Sequence, residues 1–135
     1  MGIERFEELH AWQESRKLVR LVYALCRKPS LKTDHELRRQ MQAAAISSMA
    51  NIAEAHGRFS FEDKRNFYEI SHGSTSELQS HLYVAKDQEY ISQAEFDETF
   101  ECTSQVSRLV KGSIDNLTTQ ITARPRDRGK GRNSA

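Results

Sequence analysis

Apolar residues recur at intervals of three and four along four segments of the chain, a spacing typical of amphipathic α-helices. The first segment covers about residues 6–27 and is followed by a break at Pro29 and Ser30. The second covers about residues 34–56, and Gly57 suits the position just beyond a helix end. Helix formers dominate and strand-like alternation is absent, so the pattern predicts an all-α protein.

The third and fourth segments open with N-terminal capping signals. Ser60 precedes Asp63, and Ser92 precedes Glu95, by the spacing of a capping box. The inner stripe of the second segment is Leu37, Met41, Ala44, Ala45, Ser48 and Ile52. The stripe of the third segment is Phe67, Ile70, Ser74, Leu78, His81 and Ala85. The stripe of the fourth is Phe96, Phe100, Val106, Val110, Ile114, Leu117 and Ile121.

Short connections make sequential helices antiparallel, so we expect an up-down-up-down four-helix bundle. A chain of 135 residues is long enough for one such core. We assign residues 1–122 to the bundle domain. Residues 123–135, which are rich in Arg, Gly, Asn and Ser, are expected to form a disordered tail.

In an antiparallel pair of helices, residues that are equally far along the chain from the connection lie side by side. This count predicts the neighbours of the second and third helices. Residues 43–45 fall beside Gly73 and Ser74, where small side chains would let the two backbones approach closely. That approach would offset the roughly 1 kcal/mol that glycine costs within a helix. The same count places Glu77 near Arg39 as an ion pair at the rim.

Residues 40–53 contain no charged side chain, although 29% of the chain is charged. This run covers about four helical turns, so no face of the helix carries charge there. A helix on the surface of a lone bundle normally keeps a charged stripe. We therefore expect a second copy of the chain to cover its outer face. The outer face consists of Ala43, Ile46, Ala50 and Ala53.

The net charge of +1 is distributed unevenly. Residues 1–122 carry fifteen bases and eighteen acids, whereas residues 123–135 carry five bases and one acid, a net of +4. Such a tail can contact phosphates in a salt-dependent way, or it can simply be a solvated extension. The tail cations are Arg124, Arg126, Arg128, Lys130 and Arg132. Weaker candidates for nucleic-acid contact on the bundle are Arg38, Arg39, Arg58 and Arg65.

Candidate catalytic and metal-binding residues do not form the arrangements that such sites need. The five histidines lack ligand spacing, and His81 is expected to be a hydrogen-bonded core residue rather than a ligand. Asn51 and Glu54 could supply a catalytic amide and acid, but a role in the turn or in a subunit contact is favoured. Cys26 and Cys102 have no metal-binding spacing and indicate free thiols. We expect no enzyme activity, no metal and no cofactor.

The sequence also bears on where the protein acts. No run approaches the roughly 20 apolar residues of a membrane span, so we expect no membrane partner. The first residues carry acids and lack the apolar core of a signal peptide. These features predict a cytoplasmic protein.

The opening Phe6-Glu7-Glu8-Leu9, followed by Trp12-Gln13, resembles a bacterial family of four-helix bundle proteins. These proteins are encoded by intervening sequences within large-subunit ribosomal RNA genes. The resemblance covers about residues 6–121, and the pairing of an Asn-Ile-Ala-Glu with a Gly-Ser-x-x-Glu-Leu motif is fairly specific. Further matching segments are Gln40-Met41, Ala43-Ala44, Ile46-Ser47, Asn51-Ile52-Ala53-Glu54, Gly57-Arg58, Ser60, Gly73-Ser74, Glu77-Leu78 and Tyr90-Ile91, the last preceded by Glu89 at a turn position that suits glycine.

The resemblance implies an antiparallel bundle that assembles as a ring-shaped homopentamer. Related accessory proteins of diversity-generating retroelements share the bundle and bind a reverse transcriptase and nucleic acid. This chain departs from the family pattern by Ala55 in place of Gly and by Gln42 in place of Arg. The missing cation weakens any nucleic-acid site on the second helix, and it lengthens the uncharged run.

Two main functional hypotheses follow. The first is a non-enzymatic homo-oligomer that acts as an accessory factor associated with RNA or DNA. The second is a protein–protein adaptor, for example a platform for a reverse transcriptase. A small enzyme or metal-binding bundle ranks third.

Overall fold

The protein is described here by a computed structural model that covers residues 2–125. A 3₁₀ turn at Phe6–Glu8 precedes α1 (His10–Cys26) and the short α2 (Pro29–Lys32). The remaining helices are α3 (His35–Gly57), α4 (Phe61–Asp87) and α5 (Gln93–Ala123). Over the described residues every regular element is a helix, which confirms the prediction of an all-α fold with four long helices.

Side-chain caps define where three of the long helices begin. Asp34 accepts a hydrogen bond from the backbone N–H three residues later, at 3.1 Å. Ser60 Oγ accepts from the N–H of Asp63 at 3.0 Å. Ser92 Oγ accepts from the N–H of Glu95 at 3.1 Å, and the Glu95 carboxylate accepts from the N–H of Ser92 at 2.8 Å. The predicted capping signals are therefore confirmed as contacts.

The α4–α5 turn uses a left-handed residue. Glu89 has a φ of 60°, a conformation that favours glycine. The N–H of Glu89 donates to Lys86 O at 2.9 Å, and the N–H of Tyr90 donates to Ala85 O at 2.9 Å. This pair of bonds satisfies the carbonyl groups at the end of α4. The expectation of a glycine-like turn position at Glu89 is confirmed.

The first helix is less regular than the sequence predicts. Leu9 is extended, with φ −73° and ψ 129°, and it separates Phe6–Glu8 from α1. The continuous helix predicted over residues 6–27 is therefore wrong at its start. The single turn α2 was also missed, because Pro29 begins a new helix there instead of only ending the previous one. Leu31, which is fully buried, anchors that turn in the core.

The long helices alternate in direction around the bundle. In α3 and α4, Ser47 contacts Ser74 at 2.7 Å, and Lys64 donates to the carbonyl of His56 at 3.0 Å, so one residue number rises as the other falls. Hydrogen bonds show the same reversal between α4 and α5. Contacts of α1 with both α3 and α5 close the bundle, as predicted for an antiparallel four-helix bundle.

The inner stripe of α4 differs from the predicted one by a rotation of about one residue. Ile70, which was expected inside, is 43% exposed. Ser71 and Thr75 lie in the core instead, at 0% and 1% exposure. Their hydroxyl groups are satisfied, since Ser71 donates to the carbonyl of Ser48 at 2.8 Å and Thr75 contacts Ser48 Oγ at 2.9 Å. Hydropathy alone ranks Ile above Thr, so it assigned the wrong face.

The predicted register between α3 and α4 is also wrong. Ser74 lies beside Ser47, two to four positions beyond the predicted residues 43–45. Gly73 is exposed, and a Cβ built on it would meet nothing within 4 Å, so this glycine is not a site of close backbone packing within the chain. The predicted Glu77–Arg39 pair does not form. The contact between α3 and α4 is made instead by hydroxyl groups of serine and threonine residues on the two helices.

The end of α5 lies close to the predicted domain boundary. The helix runs to Ala123, one residue beyond the predicted limit of 122. Arg124 follows it and forms an ion pair with Glu62 of α4. Of the predicted tail cations, Arg126, Arg128, Lys130 and Arg132 lie outside the described residues.

Candidate functional site

The outer face of α3 is uncharged and open. Ala43 and Ala50 are exposed, Ala53 is half-buried, and Ile46 is 44% exposed. These residues lie on the side of the helix opposite the buried stripe of Leu37 and its neighbours, because each residue turns the helix by about 100°. All four residues of the predicted self-contact thus lie on one stripe, and of these only Ala53 is partly covered by the rest of the described chain.

Asn51 and Glu54 make local contacts on α3. The amide of Asn51 donates to the carbonyl of Ser47 at 2.8 Å and to its hydroxyl at 3.1 Å. Glu54 forms an ion pair with Arg58 at 2.8 Å, one turn further along. The Arg58 guanidinium lies 4.4 Å from the centre of the Phe67 ring of α4. The two motif residues therefore support α3 and its connection to α4, and nothing about their geometry resembles a catalytic pair.

Five of the cations that the sequence proposed for nucleic-acid contact lie within the described residues, and four of these five contact groups on a neighbouring residue or helix without lining a basic cavity. Arg39 forms an ion pair with Glu36 at 2.9 Å, and Arg58 is held by Glu54. Arg65 donates to the hydroxyl of Thr118 at 3.2 Å. Arg124 pairs with Glu62, and this hydrogen bond holds the pKa of the Glu62 carboxyl below its usual value. Paired cations attract phosphate less strongly, since the neighbouring carboxylate cancels much of their field.

Arg38 is different, because it lies in an open cavity with other cations. The cavity has a volume of about 530 Å³ and is formed where α1, α2 and α3 meet. The lining residues are Tyr23, Cys26, Arg27, Lys32, Arg38 and Gln42. None of the three cations forms an ion pair with a carboxylate of the described residues. We call this site the basic cavity.

The guanidinium of Arg38 is held in a defined position at the basic cavity. One nitrogen donates to the carbonyl of Lys32 at 3.0 Å, and another contacts Nδ1 of His35 at 3.0 Å. The carbonyl of Arg38 lies 3.9 Å from Sγ of the buried Cys26. The α2 turn therefore positions Arg38, and other N–H groups of its fork are left for a ligand.

Sequence reasoning missed Tyr23, Arg27 and Lys32 as site residues. A usable signal existed on α1, because Arg16, Arg20, Tyr23 and Arg27 recur at spacings of four, three and four residues. That spacing places the three arginines and the tyrosine on one stripe of the helix. Lys32 had no such signal, since α2 was not predicted.

A second open cavity, of about 540 Å³, lies at the same end of the bundle beside the α4–α5 turn. Two cations line it: Lys28, which is paired with Glu95, the cap of α5, and Lys86. The pKa of the Glu95 carboxyl is lowered chiefly by its hydrogen bond with Lys28. This cavity has mixed charge, whereas the basic cavity contains cations only.

The remaining titratable candidates do not form a site. His81 is partly buried, and its Nε2 atom has no hydrogen-bond partner among the described residues, so the expectation of a hydrogen-bonded core histidine is wrong. Cys26 and Cys102 are buried and free, and burial raises the pKa of each thiol to about 11. Across residues 2–125 no three potential metal ligands cluster.

Hydropathy gives one further finding. None of the helices in the described part of the chain is both long enough and apolar enough to cross a membrane.

Comparisons with known proteins agree with the fold and with the sequence motifs. A solved protein of unknown function from the S23 ribosomal protein family of Bacteroides thetaiotaomicron VPI-5482 superposes with a TM-score of 0.68. It shares 21% identity and covers 77% of this chain and 97% of its own, a level of identity that shows the fold alone. No curated protein matches the chain. The family model described as 23S rRNA-intervening sequence protein matches residues 7–112. The chain therefore belongs to the 23S rRNA-intervening sequence protein family.

Proposed function

We propose that this protein is a non-enzymatic homo-oligomer of helical bundles that acts as an accessory factor associated with nucleic acid. The observation that carries the proposal is the outer face of α3, where Ile46 is 44% exposed among alanines and no charge interrupts residues 40–53. A contiguous apolar face on a soluble protein is typical of an interaction surface.

The shape of this face favours a second copy of the chain as its occupant. Alanine side chains at Ala43, Ala50 and Ala53 allow another helix to approach closely, and Ile46 supplies the apolar area to be buried. A head-to-tail contact of this face with a different face of the next copy, repeated around an axis, produces a closed ring. A ring of five copies is the assembly we propose, by analogy with the family that the chain resembles.

Nucleic-acid association is supported by the distribution of positive charge. The basic tail has a net charge of +4 over residues 123–135. In an oligomer several tails act on one nucleic-acid strand, so weak individual contacts combine into a stronger one. The family is described as 23S rRNA-intervening sequence protein, and this description is compatible with RNA as the ligand.

The self-association is tested by charging the outer face of α3. Light scattering of the wild-type protein should give a multiple of 15.5 kDa, and Ile46→Glu should reduce the mass to that of one chain with unchanged helix content. Gln105→Glu, at an exposed position of α5, is the matched control and should leave the mass unchanged. A wild-type mass of 15.5 kDa would refute the proposal.

The contribution of the tail is tested by removing residues 126–135. This deletion takes away four cations and one acid. For a single-stranded ligand we expect the dependence of log K on log salt to become shallower by about 2 to 3, since each phosphate contact contributes about 0.7. An unchanged salt dependence in a gel-shift assay would exclude the tail as a binding element.

A protein–protein adaptor is the second candidate, and it is favoured by one observation. Phe59, at the turn between α3 and α4, is 99% exposed. An exposed aromatic side chain of this kind is a frequent anchor in protein interfaces. A reverse transcriptase is one partner of this class. Phe59→Ser should then release a co-purified protein partner while leaving RNA affinity unchanged, whereas equal loss of both would argue against an adaptor role.

A further inference from the structure

We infer that the basic cavity is a binding site on the bundle itself for a phosphate and the adjoining base of single-stranded nucleic acid. This inference rests on the proposed association with nucleic acid and assigns it a site separate from the tail. Its basis is the juxtaposition of Arg27, Lys32 and Arg38 around one open cavity with Tyr23 and Gln42.

The charge of the cavity selects an anionic ligand. Arg27 and Lys32 are exposed, Arg38 is half-buried, and no carboxylate lines the cavity. Three uncompensated cations around one concave site repel each other, so an anion that enters it lowers their mutual repulsion. The cavity at Lys28 differs, because Glu95 pairs with Lys28 and the carboxylate of Glu89 is part of the cavity lining.

The geometry of Arg38 favours phosphate among anions. Its guanidinium is oriented by the carbonyl of Lys32 and by the ring of His35, each at 3.0 Å. A guanidinium that is already oriented loses little side-chain entropy on binding, and its planar fork matches two phosphate oxygens. The long side chains of Arg27 and Lys32 can contact the same phosphate or the next one along a strand.

The neutral residues of the cavity favour a nucleotide over free phosphate. Tyr23 is half-buried and offers an aromatic face on which an unpaired base can stack. The Gln42 side chain offers both a hydrogen-bond donor and an acceptor for a base edge. Bases within a duplex are stacked on each other and cannot use such a cavity, so single strands are the expected ligand.

Cations on α1 offer a path along which a bound strand can continue beyond the cavity. Arg16 and Arg20 continue the line of Tyr23 and Arg27 along α1. Neither forms an ion pair with a carboxylate of residues 2–125, although the Arg16 guanidinium lies 5.8 Å from the centre of the Trp12 ring. A strand that leaves the cavity along this stripe would meet further cations at intervals of about one turn.

The test compares two double variants that remove equal charge. Arg27→Gln with Arg38→Gln alters the cavity, whereas Arg108→Gln with Lys111→Gln removes two cations from α5. With a fluorescent oligouridylate, the cavity variant should bind about 25-fold more weakly at 0.1 M salt, with a salt slope shallower by about 1.4. The α5 variant should keep the wild-type slope. Equal effects in both variants would overturn the inference.

Two further substitutions keep the test valid if the double variant folds poorly. Gln42→Arg adds a cation to the cavity and should strengthen binding about fivefold at 0.1 M salt. Tyr23→Leu should weaken it about fivefold or more without changing the salt slope, because stacking does not depend on salt. Tyr83→Leu, at the 49% exposed tyrosine of α4, is the matched control and should have no effect.

The outcomes separate this inference from the proposed function. If the wild-type protein binds no single-stranded RNA or DNA, nucleic-acid association fails altogether. If it binds but Gln42→Arg and Tyr23→Leu behave as wild type, the basic cavity is not the site and the tail remains. A duplex competing as well as a single strand, or an acidic peptide competing better, would also overturn the assignment.

Discussion

The inner and outer faces of α3 both contain isoleucine and alanine, but the two faces have different environments. Ile52 on the inner face is completely buried, whereas Ile46 on the outer face is 44% exposed. Ala44 and Ala45 are buried, and Ala50 is exposed. The absence of charge therefore shows that a face is apolar, but it does not show what covers that face. The inner face is covered by other helices of the bundle, whereas most of the outer face is left open by the part of the chain that the structure describes.

Truncating Ile52 and Ile46 to alanine tests this comparison, and the Ile52 variant should show the largest effect. Ile52→Ala should lower the free energy of unfolding by about 2–5 kcal/mol, because it leaves a cavity in the core. Ile46→Ala should cost less than about 1 kcal/mol at low protein concentration, since that side chain already contacts solvent. Urea denaturation measures both.

Measuring the same two variants at several protein concentrations makes the comparison of the two faces sharper. If a second copy covers Ile46, the cost of Ile46→Ala grows as the concentration rises, whereas the cost of Ile52→Ala does not. Equal costs for the two variants in a monomeric sample would contradict the assignment of inner and outer faces.

The two buried thiols should make the free energy of unfolding depend on pH. Burial raises the pKa of Cys26 and of Cys102 from 9.0 to about 11. In the unfolded chain the thiols ionise first, so their contribution to stability is intact below pH 9 and falls as pH rises toward 11. We expect a loss of about 1 kcal/mol for each thiol between about pH 8 and about pH 10.

Denaturation at the two pH values measures this loss. A variant with both cysteines replaced by alanine should lose less stability between these pH values than wild type, because it lacks the two thiols. Some decline should remain, since other groups also titrate in this range. An identical decline in the two proteins would show that the thiols are not the cause.

The smallest expected effect concerns Gly73 on the outer face of α4. A Cβ at this position would meet nothing within 4 Å, so Gly73→Ala should stabilise the folded chain by about 1 kcal/mol through helix propensity. Gly112→Ala in α5 is a matched control, because its Cβ would also meet nothing within 4 Å. Thermal unfolding should show a gain in both. Destabilisation by Gly73→Ala alone would indicate that a second copy packs against this glycine.

Local features of the fold were predictable from the sequence. Ser60 and Ser92 were identified as the starts of α4 and α5, and both make the expected capping bonds. The turn at Glu89 was also identified, although from the resemblance to the family and not from the local sequence. A cap or a turn depends on residues within about four positions of each other, so a short stretch of sequence contains the necessary information.

Features that depend on two helices were predicted less well. The register of α3 against α4 was wrong, and so was the inner face of α4, because buried hydroxyl groups of Ser48, Ser71 and Thr75 pair across the contact. A hydropathy pattern treats Ser71 and Thr75 as polar and therefore placed them on the outer side of α4, whereas Ser48 was correctly placed inside. Within a core, a serine whose hydroxyl has partners is as stable a choice as a small apolar residue.

The candidate site shows the same division. Arg38 was identified from the sequence, but its partners Tyr23, Arg27 and Lys32 were not, because they come from α1 and from the unpredicted α2. The sequence also could not tell which cations are neutralised, whereas the structure pairs Arg39, Arg58 and Arg124 with carboxylates. Four of the tail cations lie beyond the described residues, so their role remains the prediction stated above.

The sequence by itself determined the number of long helices, most of their ends and the uncharged stretch of α3, because these depend on backbone geometry and on neighbours one turn apart. The tertiary structure decided which apolar face is buried, how α3 and α4 are aligned, and which arginines keep an uncompensated charge. Those outcomes depend on small free-energy differences between alternative packings of whole helices, and no local pattern of residues contains them.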